Sequence, residues 1–319
     1  MAETGINIKK ASELLKNGNV VAIPTETVYG LAANALNENA VLRIFETKNR
    51  PSFDPLIVHT YTISEISKYT LEFPEILQTL ADLYMPGPLT LLLPKKNIIP
   101  DIVTSGLDRV AIRIPKHPLT LELLKYIDFP LAAPSANPFG YISPTNAEHV
   151  HQQLGTKIPY ILDGGTCDVG IESTILGIEN NKIIIYRLGG LSVDAIESVV
   201  GKVNISINQS SNPKSPGQIK SHYAPKKPFL LGNIDKLLKQ NQHKKIGLIS
   251  FGKSAYSEYP NVVAHNLSEN EDTYQAASNL FRIMRVLDNS DADLIIADYL
   301  PEIGLGRAIN DRLQRAAAK

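Results

Sequence analysis

Residues 19–32, NVVAIPTETVYGLA, join an apolar run directly to a polar turn, and this junction governs the interpretation of the N-terminal part of the chain. The run NVVAIP (19–24) is typical of a buried strand. Apolar residues recur at helical spacing over 7–17 before it, and ENAVLRIFETK (38–48) predicts a second helix after it. Helices that alternate with buried strands indicate an α/β domain.

Outward from this junction, short apolar runs predict further strands, several of which follow one another without an intervening helix. Strands are predicted at 55–59, 89–94, 110–115, 131–134, 173–178 and 183–188, with helices at 73–84 and from a capping box at Thr145 and Glu148 to Leu154. Successive strands of this kind favour a mixed sheet. Near the C-terminus, strands at 245–252 and 293–298 alternate with helices at 271–287 and 305–317, which predicts a smaller, Rossmann-like α/β domain.

The charge distribution divides the chain into three parts. Its 319 residues carry 32 basic and 32 acidic side chains, so the formal net charge is zero. Residues 1–207 sum to −4, residues 208–228 to +4 and residues 229–319 to zero. We therefore predict an N-terminal domain over 1–207, a basic interdomain linker or lid over 208–228, and a small α/β domain over 229–319. Composition alone favours a solvated linker in the middle, and a strap over an anionic ligand is the alternative.

Composition excludes several classes of protein. Zero net charge argues against a polycation that grips nucleic acid, and the single Cys167 cannot form an internal disulfide. No secretory signal and no apolar run of about 20 residues is visible, which predicts a soluble, cytoplasmic protein without a membrane partner. One match to a phosphate-binding loop, Gly247 to Ser254, is interpreted as coincidental because its intervening residues belong to a predicted strand.

Cations and hydroxyls collect near the predicted strand ends. DRVAIRIP places Arg109 and Arg113 on the same face of one strand, and KNRP (48–51) adds two cations after a helix. PSANPFGYISP (134–144) and GIESTI (170–175) supply hydroxyl groups. Each segment by itself is typical of a turn or a helix cap. Together they indicate the chemistry of a phosphate-rich ligand bound without a phosphate loop.

These strings resemble, in order and spacing, the YrdC-like family, and most closely its long form with an extra C-terminal domain. The strings are PTETVYGLAANA, KNRPSFDPLIVH, PGPLTLLL, VAIRIPKHP, PLAAPSANPFG, GIESTIL and SPGQIKSHYAP. The resemblance implies a mixed, twisted sheet with flanking helices. It also implies the synthesis of threonylcarbamoyl-AMP and pyrophosphate from L-threonine, bicarbonate or CO2, and ATP accompanied by Mg2+. The product would pass to the transferase machinery that modifies adenosine 37 of tRNA, and direct RNA binding is left open.

Residue roles follow from the resemblance only at matching motif positions. The implied threonine site comprises Thr27, His59, Arg113, Ala133 and Ser173. The implied nucleotide site comprises Arg50, Asp54, Arg109, Ser135, Ser143, Arg187 and Tyr223, the last as the linker residue that closes over the nucleotide. Lys48 and Arg50 are the implied catalytic cations, and no metal ligand from the protein is implied.

The chain departs from the family pattern at several positions. Asp54 stands where the family usually has Asn, so that either it faces Mg2+ or a nucleotide contact is lost. Asn49, Leu188 and Gln218 replace a common Gly, Pro and Met. Two other functions remain as alternatives: a YrdC-type RNA-binding module without catalysis, and a carbamoyl-adenylate transferase of metal-cofactor maturation. Proteins with the second function usually carry Cys clusters, so the single cysteine of this chain argues against that function.

Overall fold

The computed structural model describes residues 1–206, 223–253, 256 and 259–318. Within them the strands are β1 (Glu3–Gly5), β2 (Val21–Ile23), β3 (Gly30–Asn34), β4 (Ile57–His59), β5 (Leu89–Pro94), β6 (Arg109–Arg113), β7 (Leu131–Ala132), β8 (Tyr160–Leu162), β9 (Thr174–Glu179), β10 (Lys182–Arg187), β11 (Asn204–Ile205), β12 (Phe229–Leu231), β13 (Ile246–Ser250), β14 (Val262–Asn266) and β15 (Leu294–Ala297). The helices are α1 (Ile8–Lys16), α2 (Glu38–Lys48), α3 (Ile63–Tyr69), α4 (Glu75–Tyr84), α5 (Asp101–Thr104), α6 (Pro118–Tyr126), α7 (Ala147–Leu154), α8 (Val193–Val200), α9 (Ile234–Gln240), α10 (Thr273–Asp288) and α11 (Gly306–Ala317).

The larger sheet is mixed, as the sequence predicts. Its strands lie in the order β1-β8-β2-β3-β7-β4-β6-β5-β9-β10-β11. The sheet contains parallel pairs such as β4–β6 and β5–β9 and antiparallel pairs such as β2–β3 and β5–β6. Helices α1 and α6 cover one apolar face through Leu15 and Leu123, and α2 packs on the other through Ile44 and Phe45.

The smaller sheet confirms a second α/β domain near the C-terminus. Four parallel strands lie in the order β12-β15-β13-β14. Helix α10 buries Leu280, Phe281 and Met284, and α11 buries Ile309 and Leu313 in the core. None of the helices in the described part of the chain is long and apolar enough to cross a membrane.

The structure corrects two local predictions. The polar segment that follows β2 is a turn only as far as Tyr29, because β3 begins at Gly30 and runs antiparallel to β2. Within this turn, Thr25 Oγ1 accepts hydrogen bonds from the backbone N–H groups of Thr27 and Val28. Helix α7 is capped by Asn146, whose side chain accepts from the N–H of His149, and not by Thr145.

The fold agrees with the interpretation that the match to a phosphate-binding loop is coincidental. Strand β13 occupies Ile246–Ser250, so four residues of the matched string are paired with β14 and β15. Their backbone N–H groups are therefore engaged in the sheet and cannot wrap a phosphate.

Candidate functional site

A cavity opens where β4, β6 and β10 end, beside the turn that follows β2. His59 ends β4 and Arg113 ends β6, and the two are direct register partners in this parallel pair. The cavity is lined by Thr25, Val28, Gly30, Arg50, Pro55, Ile57, His59, Arg113, Ala133, Pro134, Ser135, Glu172, Arg187 and Tyr223. Strand ends are where open α/β sheets hold their ligands, so this cavity is the candidate site.

Three arginines bring positive charge to the cavity wall. Arg113 forms a buried ion pair with Glu26, with Nη2 2.8 Å from Oε1. Arg187 donates through Nε to the carbonyl of Ser173 and through Nη2 to its Oγ, both at 3.0 Å. Burial lowers the pKa of Arg187 to about 10, so it remains cationic at neutral pH. Guanidinium groups held in fixed orientation suit carboxylate and phosphate ligands.

The third arginine, Arg50, is held by Asp54. Its Nη2 lies 2.8 Å from Asp54 Oδ2, and both side chains are buried. Arg50 also donates to the backbone carbonyls of Asp54 and Pro55. Arg50 lines the cavity, whereas Asp54 stands behind it and is not among the lining residues. The acid that departs from the family pattern thus supports an arginine.

His59 is a neutral imidazole in the lining of the cavity. Burial, reinforced by the charge of neighbouring Arg113, lowers its pKa to about 3. Its Nδ1 lies 3.2 Å from the carbonyl oxygen of Ile57, which suits a protonated Nδ1 that donates to this carbonyl. The cationic charge near the strand ends therefore comes from arginine and not from histidine.

We expect His59 to make the protein less stable in mild acid. Its pKa is about 3 when folded against 6.5 for a free histidine, so between these values the unfolded chain binds more protons. The free energy of unfolding should therefore fall as the pH drops below about 6.5. His59→Asn, which keeps a donor near the Ile57 carbonyl, should reduce this fall in urea unfolding at pH 7 and pH 5. His149, with a pKa of about 4, should contribute to the fall in the same direction.

The exposed His243 provides the control for this experiment. His243→Asn should leave the difference between pH 7 and pH 5 as in the unaltered protein. A His59→Asn variant that loses as much stability as the unaltered protein over this interval would contradict the assignment of a buried, neutral imidazole.

The remaining residues of the implied threonine site lie at or directly behind the cavity wall. Ala133 lines it. Thr27 is fully buried, with its hydroxyl 2.8 Å from that of Thr25, which does line the cavity. The Ser173 hydroxyl lies between Thr90 Oγ1, at 2.7 Å, and the guanidinium of Arg187. The structure brings all five implied residues to one place.

The residues of the implied nucleotide site are more dispersed. Ser135 lines the cavity, and Ser143 donates to Glu172 Oε1 at 2.6 Å from behind it. Lys48 is buried, and its amine donates to the carbonyls of Ser135 and Asn137. Burial lowers the pKa of Lys48 below its usual range. Its amine supports the Ser135 segment and does not line the cavity.

Arg109 lies apart from the cavity, although it shares a strand face with Arg113. It occupies the opposite end of β6, where its guanidinium donates to the hydroxyl of Tyr186 at 3.0 Å. It also pairs with Glu179 at 3.2 Å. Arg109 is not among the lining residues, because four residues of extended strand separate it from Arg113.

Among the described residues of the predicted lid, Tyr223 lines the cavity. Residues 208–222, which include SPGQIKSH of the lid motif, lie outside the described residues. Tyr223 is buried, adopts a positive φ of 64° and stacks on Phe281 with ring centroids 5.5 Å apart. Burial raises its pKa to about 12, so its phenol is neutral. Its position on the wall of the cavity supports the strap over the plain linker.

Sequence reasoning missed three residues that shape the site: Glu26, Glu172 and Arg312. Glu26 holds Arg113, and Glu172 lines the cavity and receives Arg312 Nε at 3.0 Å. Glu26 and Glu172 stand within the quoted strings PTETVYGLAANA and GIESTI, and Arg312 stands in the helix predicted over 305–317. A carboxylate in GIESTI does not indicate which residue will pair with it. Arg312 lies 140 residues further along the chain, and only folding brings the two together.

The chemical groups at the site favour alignment and charge neutralisation. Cys167 is buried and free, and burial raises the pKa of its thiol well above the ordinary range, so it is no activated nucleophile. No group of three or more potential metal-ligating side chains is found among the described residues. Glu172, the carboxylate in the described lining, is engaged by Ser143 and Arg312. These residues do not fit a magnesium ion held by the protein.

Comparison with known proteins identifies relatives along the whole chain. Residues 13–189 match the family model described as "Telomere recombination" (Sua5, YciO and YrdC), and residues 191–318 match "Threonylcarbamoyl-AMP synthase, C-terminal domain". The threonylcarbamoyl-AMP synthase of Pyrococcus abyssi is 38% identical over 97% of this chain and 94% of its own. That of Bacillus subtilis is 40% identical over 97% and 92%.

A solved structure agrees with the fold at full length. The crystal structure of P. abyssi Sua5 complexed with L-threonine matches with a TM-score of 0.90 and 36% identity, over 99% of this chain and 97% of that one. The match therefore extends over both sheets of the described chain.

Proposed function

The chain belongs to the threonylcarbamoyl-AMP synthase family in its two-domain form, and on that premise we propose how its cavity performs the reaction. Its activity is that of an L-threonylcarbamoyladenylate synthase, a nucleotidyltransferase of tRNA modification that uses L-threonine and ATP. The observation that carries the mechanism is the convergence of Arg50, Arg113 and Arg187 on one largely buried cavity.

Arg113 receives the carboxylate of threonine. Its planar fork can make two parallel hydrogen bonds, and the ion pair with Glu26 fixes the side chain from one side. His59, next to it in the sheet, adds a neutral polar group without repelling the ammonium of the incoming amino acid. Thr27, Ala133 and Ser173 complete this end of the cavity, where their small side chains leave room for a short substrate.

Arg50 and Arg187 receive the phosphates of ATP, together with the hydroxyl of Ser135. Asp54 and Ser173 hold the two guanidinium groups in place, so little reorganisation is needed when charge develops during reaction. Lys48 and Ser143 act from behind the wall, Lys48 through the Ser135 segment and Ser143 through Glu172. Tyr223 closes the nucleotide end. Because Arg109 lies outside the cavity, we assign it only a long-range electrostatic effect on the nucleotide.

The chemistry requires no nucleophile from the protein. Bicarbonate supplies CO2 by losing hydroxide, and the threonine ammonium loses two protons, one to this hydroxide, which becomes water, and one to solvent. The nitrogen forms a bond to the carbon of CO2 while one C–O π bond opens, and a carbamate results. A carbamate oxygen then bonds to the α-phosphorus of ATP while the bond from that phosphorus to the pyrophosphate oxygen breaks. Such an in-line displacement depends on alignment and on neutralisation of phosphate charge. Two buried arginines at the phosphate end supply that neutralisation.

Magnesium enters this proposal only as an ion that ATP carries, and no step is assigned to it. Transfer of the product to the machinery that modifies adenosine 37, the domain boundaries at 207 and 228, and a cytoplasmic location remain predictions of the sequence. An RNA-binding module without catalysis is not favoured, because the full-length relatives are named as synthases.

The test of this function is an omission series. Pyrophosphate release should require ATP, L-threonine and bicarbonate together, and withholding any one should reduce it to background. Threonylcarbamoyl-AMP should accumulate in the same reactions, as seen by mass spectrometry. Release that is indifferent to threonine would contradict the assigned reaction.

A further inference from the structure

Arg312, on the last helix of the second domain, reaches the wall of the cavity in the first. Its side chain is completely buried. Its Nε lies 3.0 Å from Glu172 Oε2, and its Nη1 lies 2.7 Å from Asp311 Oδ2 on the same helix. A buried guanidinium in this position connects α11 to a carboxylate that faces the substrate space.

The same guanidinium contacts Tyr223. The Arg312 Cζ atom lies 5.1 Å from the centroid of the Tyr223 ring, which is within the range of a cation–π contact. Phe281 of α10 stacks on the ring at 5.5 Å with an interplanar angle of 27°. Tyr223 is therefore held by both α10 and α11, and it too lines the cavity.

Glu172 depends on Arg312 because it is buried. Burial alone would raise its pKa, but the charges of Arg312 and then Arg187 and the hydrogen bond from Ser143 hold that pKa below its usual value. Glu172 Oε1 accepts from Ser143, and Oε2 accepts from Arg312. Without Arg312, the carboxylate would lose the partner of one oxygen inside the protein.

A second helix of the C-terminal domain holds the adjoining segments. Arg285 on α10 donates to the backbone carbonyls of Ile142 and Ser143. Gly170, two residues before Glu172, packs so closely on α10 that a Cβ would stand 2.5 Å from the Cα of Ser278. The segments that adjoin Glu172 behind the cavity wall therefore pack on the second domain.

We propose that Arg312 is a positioning residue for the synthase reaction, through which α11 fixes Glu172 and Tyr223 in the wall of the active site. The second domain then supplies a structural part of the active site, and the first domain alone does not complete the cavity. This inference rests on the proposed function.

The experiment compares Arg312→Met, Glu172→Gln and the double variant in the full-length chain. Arg312→Met should lower kcat/KM for ATP by about 30-fold, in line with the loss of one partner from a buried charged hydrogen bond. Glu172→Gln should lower it by about 10-fold. Because the two act as one unit, the double variant should lose no more than the worse single variant. The assay is pyrophosphate release with threonine and bicarbonate present.

Arg307→Gln is the matched control, because it removes a positive charge from the same helix, where Arg307 bonds to the carbonyl of Glu302. It should leave kcat/KM within about twofold of the unaltered chain. Activity of the unaltered chain in the same assay tests the proposed function separately. Arg312→Met activity equal to that of Arg307→Gln would overturn the inference, and so would losses that multiply in the double variant.

If Arg312→Met does not fold, two other variants test the positioning role of Arg312. Arg312→Lys keeps a charge beside Glu172 but removes the planar face next to Tyr223, and it should lose about fivefold in kcat/KM. The Glu172→Gln, Arg312→Met double variant removes both buried charges, so its fold is expected to survive, with kcat/KM reduced by at least about tenfold. Near-normal activity in either folded variant would overturn the positioning role.

Discussion

Replacement of Arg113 by lysine should lower kcat/KM for threonine by about 100-fold, with a smaller effect on the KM for ATP. Arg113 is the last residue of β6, and its guanidinium lines the cavity beside His59 and is paired with Glu26. A lysine keeps the charge but cannot present two parallel donors to a carboxylate. Loss of such a buried contact is worth about 2–5 kcal/mol, and about 2.7 kcal/mol corresponds to a factor of 100. Steady-state pyrophosphate release, with threonine varied at saturating ATP, gives the measurement.

Arg109→Lys makes the same change on the same strand outside the cavity. Because Arg109 pairs with Glu179 and Tyr186 at the far end of β6, its replacement should change kcat/KM for either substrate by no more than about threefold. The two variants also decide between the family resemblance, which places Arg109 in the nucleotide site, and the structure, which places it outside the cavity. A large rise in the KM for ATP in Arg109→Lys would restore Arg109 to the nucleotide site. Equal losses of threonine use in both variants would contradict the role of Arg113.

Replacement of Arg50 by methionine should reduce both stability and ATP use. The Asp54 carboxylate would lose its ion-pair partner in the protein interior, where breaking such a pair costs about 3–5 kcal/mol. The cavity would also lose one of the two cations that we propose to face the phosphates, so kcat/KM for ATP should fall by about 100-fold. Urea unfolding gives the first quantity, and pyrophosphate release with ATP varied gives the second.

A second substitution at Asp54 separates these two effects. In the Arg50→Met, Asp54→Asn double variant, both charges are absent, so most of the lost free energy of unfolding should return while ATP use stays low. Asp54→Asn alone should retain ATP use, because Arg50 keeps its charge and its bonds to the backbone carbonyls of residues 54 and 55. A double variant with normal ATP use would show that Arg50 does not serve the nucleotide. Loss of activity in Asp54→Asn alone would favour the magnesium role that the family departure suggested.

The departures from the family pattern show how context decides what a residue does. Asn49 is the C-cap residue that follows α2, and it adopts the left-handed conformation with a φ of 51°, which a glycine at this position would adopt freely. Asparagine tolerates it better than most residues, so the turn that leads into Arg50 survives the replacement. Asp54 could not be interpreted from its position alone, because its meaning depends on which cation it faces. The fold places it against Arg50.

The sequence by itself determined the mixed α/β fold class, most of the strands and helices, the presence of a second α/β domain, and the family whose motifs carry the reaction. Apolar periodicity and motif order are properties of neighbouring residues, and they need no knowledge of distant contacts. Only the tertiary structure decided that Arg113 lines the cavity while Arg109, on the same strand face, does not. It also decided that Glu172 and Tyr223 are held by Arg312 from the second domain. The reason is physical: burial gives a charged side chain its role through a partner, and Glu172 and its partner Arg312 are 140 residues apart along the chain.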